Sequence, residues 1–175
     1  KKDGDTYWNE FTFVLVRDDQ GKPNSIIGVG RDISERKQAE QSLRESEEKY
    51  RSLFENVPDG VCQITPDGTV LAVNPALVKM LEYDSTEELL KTNVITDWWV
   101  NPSDRENWKR MLDERGELFN YEMRIKTKNK KELVMLNNVR AHRNEQGEIQ
   151  YYQGTLMNIT GRIQRQRELE AITAV

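Results

Sequence analysis

The stretch Leu133-Val134-Met135-Leu136-Asn137-Asn138-Val139-Arg140-Ala141-His142-Arg143 breaks at Asn144-Glu145-Gln146-Gly147, resumes over residues 149–157 and ends on Asn158-Ile159-Thr160. It reads as strand, turn and strand, followed by a polar, charged helix from Arg162 onward. The same text stands 126 residues earlier: residues 2–43 align to 128–169 without a gap, with Arg17/Arg143, Gln20/Gln146, Gly21/Gly147, Gly28/Gly154, Ile33/Ile159, Arg36/Arg162 and Leu43/Leu169 identical. In the first copy residues 7–17 and 25–31 are the expected strands, Asp18-Asp19-Gln20-Gly21 the turn, and Glu35 opens the helix. A period this long is no solenoid unit. It fits two copies of one domain, the first represented only by its C-terminal end.

The first helix carries Ala39, Leu43, Ser46, Tyr50 and Leu53 in a 4-3-4-3 rhythm between charged flanks. Such a narrow apolar seam suits pairing with another helix; a solvated connector is the alternative. Between the helices, residues 61–65 and 70–73 read as strands around Pro66-Asp67-Gly68-Thr69. Three helix starts follow: Asn74 with Pro75, then Ser85-Thr86-Glu87-Glu88 and Ser103-Asp104-Arg105-Glu106 as capping boxes. The third should stop near Gly116, before a strand over 119–126. The order β-β-α-α-α-β-β-β predicts an α+β fold, an antiparallel sheet with helices on one face.

Composition narrows the function. Of 175 residues 36% are hydrophobic and 32% charged, with net charge −4, one Cys and one His. The charge share exceeds the roughly 25% of ordinary globular domains. One Cys excludes an internal disulfide or multi-Cys zinc site, and one His excludes a two-His metal centre. Mild acidity argues against nucleic acid. There is no apolar run of about 18 residues and no signal-peptide pattern, so no membrane contact and a cytoplasmic location are expected. The start Lys1-Lys2-Asp3 reads as part of something longer.

No catalytic site is visible. Cys62, in the first strand, packs as a small hydrophobe with no base beside it. His142 ends a strand and reads as a surface side chain. Lys126, Lys128, Lys130 and Lys131 read as a solvated hairpin tip. No metal ligand set and no phosphate loop occur. One polar residue stands out: Met135, Asn137, Val139 and Ala141 share a strand face that is otherwise apolar, as do Asn9, Phe11, Phe13 and Leu15 in the first copy. That face is expected inward, where Asn137 must bond a ligand, a structural water or its neighbours. Trp98, Trp99 and Trp108 either stack on a planar ligand or pack as core or lid.

The element order, Asn74-Pro75-Ala76, Tyr83-Asp84-Ser85-Thr86-Glu87-Glu88-Leu89 and Asn101-Pro102-Ser103-Asp104-Arg105 resemble a PAS domain. Gly154 with Asn158-Ile159-Thr160 resembles its C-terminal PAC motif. Lys2-Asp3-Gly4 through Gly28-Val29-Gly30-Arg31-Asp32-Ile33-Ser34-Glu35-Arg36 is a closer PAC match, and Glu45–Phe54 resembles the linker into a following PAS domain. The resemblance implies a five-stranded antiparallel sheet with helices on one face, flanked by coiled-coil-like signalling helices. It divides the chain into a PAC hairpin (1–35), a signalling linker helix (36–48), a complete PAS domain (49–160) and the start of an output helix (161–175).

By the same resemblance, the pocket candidates are Met123, Ile125, Met135, Asn137, Gly154, Leu156 and Trp99, and the relay residues are Asp32, Ser34, Asn158 and Thr160. At each joint the polar side chain can cap the helix and the Ile can anchor it in the core; Asp32 can also pair with Arg36, as Asn158 cannot with Arg162. The cofactor is left unknown. No Cys follows Cys62 and the flavin-contacting positions are the apolar Ile125, Met135 and Leu156, which weighs against a photoactive flavin. The helix that carries the haem ligand in haem-binding members has no His here, which weighs against haem. A non-covalent flavin, a small apolar ligand or no ligand remain. The expected role is the sensory input of a multidomain signalling protein, foremost a sensor histidine kinase. It would be a homodimer through its helices, with the kinase, GAF or cyclase output in cis and no enzyme activity of its own. The alternatives are a ligand-free dimerisation or docking module, or the input of a diguanylate cyclase or transcription regulator. The first hairpin, two strands alone, is expected to be less ordered or docked on something else.

Overall fold

A computed structural model describes residues 7–173; the segment Lys2-Asp3-Gly4 of the first PAC match and the terminal Ala174-Val175 lie outside the described residues. The chain divides into two compact units, residues 1–52 and 53–175.

In the first unit, β1 (Asn9–Arg17) and β2 (Pro23–Asp32) form a two-stranded antiparallel sheet that runs into α1 (Ser34–Asn56). Phe11 and Phe13 are 59% and 68% exposed, so the face expected inward is uncovered here. The physical reason is simple: no helix of this unit lies on that sheet, and two strands enclose nothing. The rings instead lie along their own hairpin, stacked with centroids 6.0 Å apart and reaching over Gly28 and Gly30. No residue of α1 is buried, and Leu43, Tyr50 and Leu53 of the seam are exposed. Arg36 pairs with Glu40 one turn on rather than with Asp32.

The second unit holds the sheet β4-β3-β7-β6-β5, antiparallel throughout: β3 (Gly60–Ile64), β4 (Val70–Val73), β5 (Glu117–Lys126), β6 (Glu132–Arg143) and β7 (Ile149–Asn158). The first strand of the unit thus pairs with the last. Over the sheet lie α2 (Pro75–Met80), α3 (Thr86–Leu90) and α4 (Pro102–Arg115); α5 (Thr160–Thr173) leaves its end. The core between sheet and helices includes Leu77, Leu81, Leu89, Leu112, Ile125 and Met135, all without exposed surface.

Local chemistry sets these elements. Asn74, fully buried, accepts from the backbone N–H of Leu77 and of Val61 and donates to the carbonyls of Phe54 and Asp59, so one amide caps α2 and ties it to β3. Ser85 caps α3 through the Glu88 N–H, while the Glu88 carboxylate accepts from the Asp84 N–H. The start of α4 differs from the expected capping box at Ser103. Asn101 is the cap, its Oδ1 accepting from Ser103 N at 3.1 Å, and Pro102 opens the helix. Proline there supplies helical φ and lacks only an N–H that no carbonyl would receive. An unexpected π-helical turn, Val94–Trp98, stands between α3 and α4. It is pinned to the β3–β4 turn, where Val94 N donates to the Gly68 carbonyl and Asn93 Nδ2 to that of Asp67. Gly68 has φ +88° and a Cβ there would come within 2.5 Å of Asn93 Oδ1, so only glycine fits. The lysine tip is not wholly solvated: Lys128 bridges Asp84 and Glu88 of the α3 region.

The repeat is kept at the level of single bonds. Phe13 faces Gly28 as Val139 faces Gly154, and Asn9 faces Asp32 as Met135 faces Asn158. In both turns the arginine guanidinium, of Arg17 or Arg143, donates to the carbonyl of Gly21 or Gly147 at 2.9 Å.

Candidate functional site

The inner faces of β3, β5, β6 and β7 meet α4 and the π-helical turn around a cavity of about 30 Å³. Of the seven residues nominated from sequence, Met123, Asn137, Gly154, Leu156 and Trp99 line it. Ile125 and Met135 are fully buried in the core but not on its wall. The sequence reading missed Cys62, Ile64 and Val94 as lining residues; alternation along β3 puts Cys62 and Ile64 on that face, whereas nothing marked Val94. All three tryptophans contribute, with Trp98, Trp99 and Trp108 each no more than 3% exposed. Trp99 is tilted against Trp108, and Trp108 meets Tyr152 edge-on at 5.3 Å.

Asn137 takes the last of its three options, its neighbours. It accepts from Trp108 Nε1 at 3.0 Å and donates to the Thr155 carbonyl at 3.0 Å. One amide N–H and one acceptor lone pair remain on it. At the rim Tyr152 donates its hydroxyl to Asp113, which also receives Lys109. Burial and the Asp113 carboxylate push the tyrosine's pKa upward, so it stays a donor. The Cys62 thiol is sealed in the core, and burial pushes its pKa up to about 12, which leaves it protonated and a poor nucleophile. His142 stacks on Tyr151 on the far side of the sheet, where an open trough of about 340 Å³ runs past Val61, Phe119 and Arg140. Among the described residues no group of three His, Cys, Asp or Glu side chains is placed to hold a metal, and no helix is long and apolar enough to cross a membrane.

The relay residues form a second constellation. Asn158 Oδ1 accepts from Thr160 N at 3.1 Å, Thr160 Oγ1 accepts from Val134 N at 2.9 Å, and Ile159 N donates to the Val134 carbonyl at 2.9 Å. The first copy repeats all three: Asp32 Oδ1 with Ser34 N, Ser34 Oγ with Trp8 N, and Ile33 N with the Trp8 carbonyl. Thr160 accepts from β6 and Ser34 from Trp8, the residue just before β1, so each helix starts on a bond to the first strand of its hairpin or to the residue that leads into it. Hydrogen bonds from Ser34 hold the Asp32 carboxyl below its usual range.

A family model described as the PAS fold matches residues 48–159, and a second, described as a PAS domain, matches residues 1–35. The chain belongs to the PAS domain family. The two-component sensor PprA of Pseudomonas aeruginosa is 34% identical over 101 residues, 58% of this chain and 11% of that protein. The sensor protein FixL of Bradyrhizobium diazoefficiens is 29% identical over 82 residues, 47% of this chain and 16% of that protein. This PAS chain therefore spans only a small part of either relative. The PAS domain of an HTR-like protein from Haloarcula marismortui has the same fold, with TM-score 0.55 and 21% identity over 70% of this chain and 99% of that one.

Proposed function

We propose that this PAS chain is a non-enzymatic sensory module of a two-component sensor histidine kinase, reading a ligand or partner at the PAS core and passing its state to a helix. The observation that carries the reading is the joint. α5 begins on two bonds to Val134 of β6, one residue from Met135 and three from Asn137 of the cavity wall. A shift of β6 is thereby a shift of the helix start. The similarity to PprA and FixL supports a kinase output in cis, which would put the module in the cytoplasm. The exposed Leu43, Tyr50 and Leu53 of α1, and Leu169 and Ile172 of α5, support pairing of signalling helices in a homodimer. A paired helix with two preferred registers is what such a relay needs.

Cysteine placed at Leu169 in a Cys62→Ala background tests the dimer. Oxidative cross-linking between two chains is expected, and a strictly monomeric, uncross-linked protein would count against helical pairing. A second reading, a ligand-free docking module, is favoured by the 30 Å³ cavity and by the bonds that Asn137 makes to Trp108 and Thr155 rather than to a ligand. An absorption spectrum with native mass separates the two: bound small-molecule mass supports sensing, and a colourless protein of bare chain mass supports docking.

A further inference from the structure

The two copies of the hairpin carry different outer faces. In β6 and β7 the side chains turned away from the core include Asn138, Arg140, His142, Gln153 and Thr155. They suit water and bond one another's neighbours: Asn138 accepts from Asn120 N, Arg140 pairs with Glu117, and Gln153 accepts from Gln63. The residues 126 positions earlier are Thr12, Val14, Val16, Ile27 and Val29. They stand on the face of β1 and β2 opposite to Phe11 and Phe13. Val14, Ile27 and Val29 are each more than half exposed. An antiparallel sheet with one face in water alternates apolar and polar residues, whereas this hairpin is apolar on both faces. The Phe11 and Phe13 face aligns with the one that the second unit closes with its helices. The outer face aligns with an open trough, so the fold itself gives no reason for its valines and isoleucine. A contiguous exposed apolar patch marks an interaction surface.

The pattern on the face selects its partner. At one end Glu10 lies directly opposite Arg31, and at the other Val16 lies opposite Ser25. Stack two copies face to face about a two-fold axis parallel to the strands. Glu10 then lies over the partner's Arg31, and Arg31 over the partner's Glu10, with Thr12 over the partner's Val29 and Val14 over the partner's Ile27 between them. An axis across the strands sets the charged end against the Val16–Ser25 end and pairs no charges. The first axis also sends both α1 helices out at the same end, because each starts two residues after β2 stops. The second sends them out at opposite ends. Only the first is compatible with pairing of the α1 seams, and the choice of axis rests on that proposed pairing. Area agrees. From Trp8 to Val16 the face is about 27 Å long and about 10 Å wide, well short of the roughly 800 Å² per partner of a stable interface. The 23 residues of α1, about 35 Å of helix, supply the remainder. We infer that the outer face of β1 and β2 is a contact for a second copy of this chain, with Glu10 meeting the partner's Arg31, and that the matching face of β6 and β7 is not.

Sedimentation equilibrium of the full chain over a concentration series, at one ionic strength, tests it. Glu10→Arg and Arg31→Glu should each weaken the dimer at least about tenfold, because each sets like charges across the contact. An equimolar mixture of the two variants should recover wild-type dimerisation, since every charge then meets its opposite on the other chain. Within either chain the two positions remain alike in charge, so the recovery reads contact between chains alone. Val14→Arg with Val29→Thr installs the residues that the second copy carries, and should weaken the dimer to a similar extent. Single variants that dimerise as wild type does, or a mixture no tighter than its components, would overturn the inference. A dimer that resists all these variants and is lost in Phe13→Ser would put the contact on the other face and overturn it as well. So would a wild-type chain that stays monomeric throughout the series. Leu43→Asp separates this contact from the helical pairing: a dimer lost there and kept in the face variants overturns the face and leaves the helices standing, whereas the reverse keeps the face and counts against the helices. Should Val14→Arg with Val29→Thr unfold the hairpin, Glu10→Arg and Arg31→Glu, both at exposed positions, decide alone.

Discussion

Trp108 hands its indole N–H to Asn137, and Asn137 hands an amide N–H to the Thr155 carbonyl, so a helix and two strands are joined through one buried amide. Trp108→Phe keeps the ring and removes the donor. It should cost about 1–3 kcal/mol by leaving Asn137 Oδ1 unanswered, read as a lower denaturant midpoint. Asp113 supplies a pH test. Burial alone raises its carboxyl pKa, but the Lys109 ammonium and the Tyr152 hydroxyl outweigh that and hold it below its ordinary value. A depressed folded pKa gives stability that is complete above the unfolded value, about 3.9, and is lost as pH falls through the folded one. Asp113→Asn should therefore flatten the loss of stability below about pH 4, measured as Tm against pH. An unchanged acid slope would refute the coupling. Sequence alone shows Asn137 as a polar residue on an apolar face, because alternation is local. Its donor stands 29 positions away on a helix, and no periodicity joins the two. The burial of Arg105 is hidden for the opposite reason: between Asp104 and Glu106 it reads as an ordinary solvated charge.

At the scale of elements, strands and turns are the most legible. The 70–73 strand has its predicted bounds, and the others move by a residue or two. The π-helical turn is not legible, since five residues carry no helical period, and its position comes from Gly68 and Asp67 across the fold. The cap of α4 shows the limit of motif reading: Asn101-Pro102 and Ser103-Asp104-Arg105-Glu106 are both competent starts two residues apart, and the proline decides. The duplicated hairpin offers a controlled comparison. A Cβ on Gly154 would meet the Asn138 carbonyl at 2.5 Å and Val139 Cβ at 3.0 Å, whereas on Gly28 it would meet only the ring edge of exposed Phe13. Gly154→Ala must displace a central strand and should destabilise the unit by about 1–3 kcal/mol in chemical unfolding. Gly28→Ala should leave the same transition in place, because a solvent-facing ring can swing aside.

For the whole molecule, the two units differ in what their sheets enclose. β6 and β7 sit in the middle of five strands beneath α4, while β1 and β2 pair only with each other and bury none of their residues. Amides of β1 and β2 should exchange with solvent orders of magnitude faster than those of β6 and β7, since exchange follows local opening. Equal protection in the two hairpins would mean that the first is covered in solution. The seam of α1 is legible as a pattern, and its Leu43, Tyr50 and Leu53 are exposed.

The paired joints also bear on how such chains can be assembled. Each helix leaves its hairpin through the same three bonds, so its rotational phase against that hairpin is a property of the joint, whatever lies further along. Changes within the Asn144–Gly147 turn leave that phase untouched. A single residue inserted just after Thr160 turns every later side chain of α5 by about 100°, carrying Leu169 and Ile172 to another side of the helix. Domains that end in this joint are in that sense interchangeable fittings, and the spacing beyond it sets how they are wired.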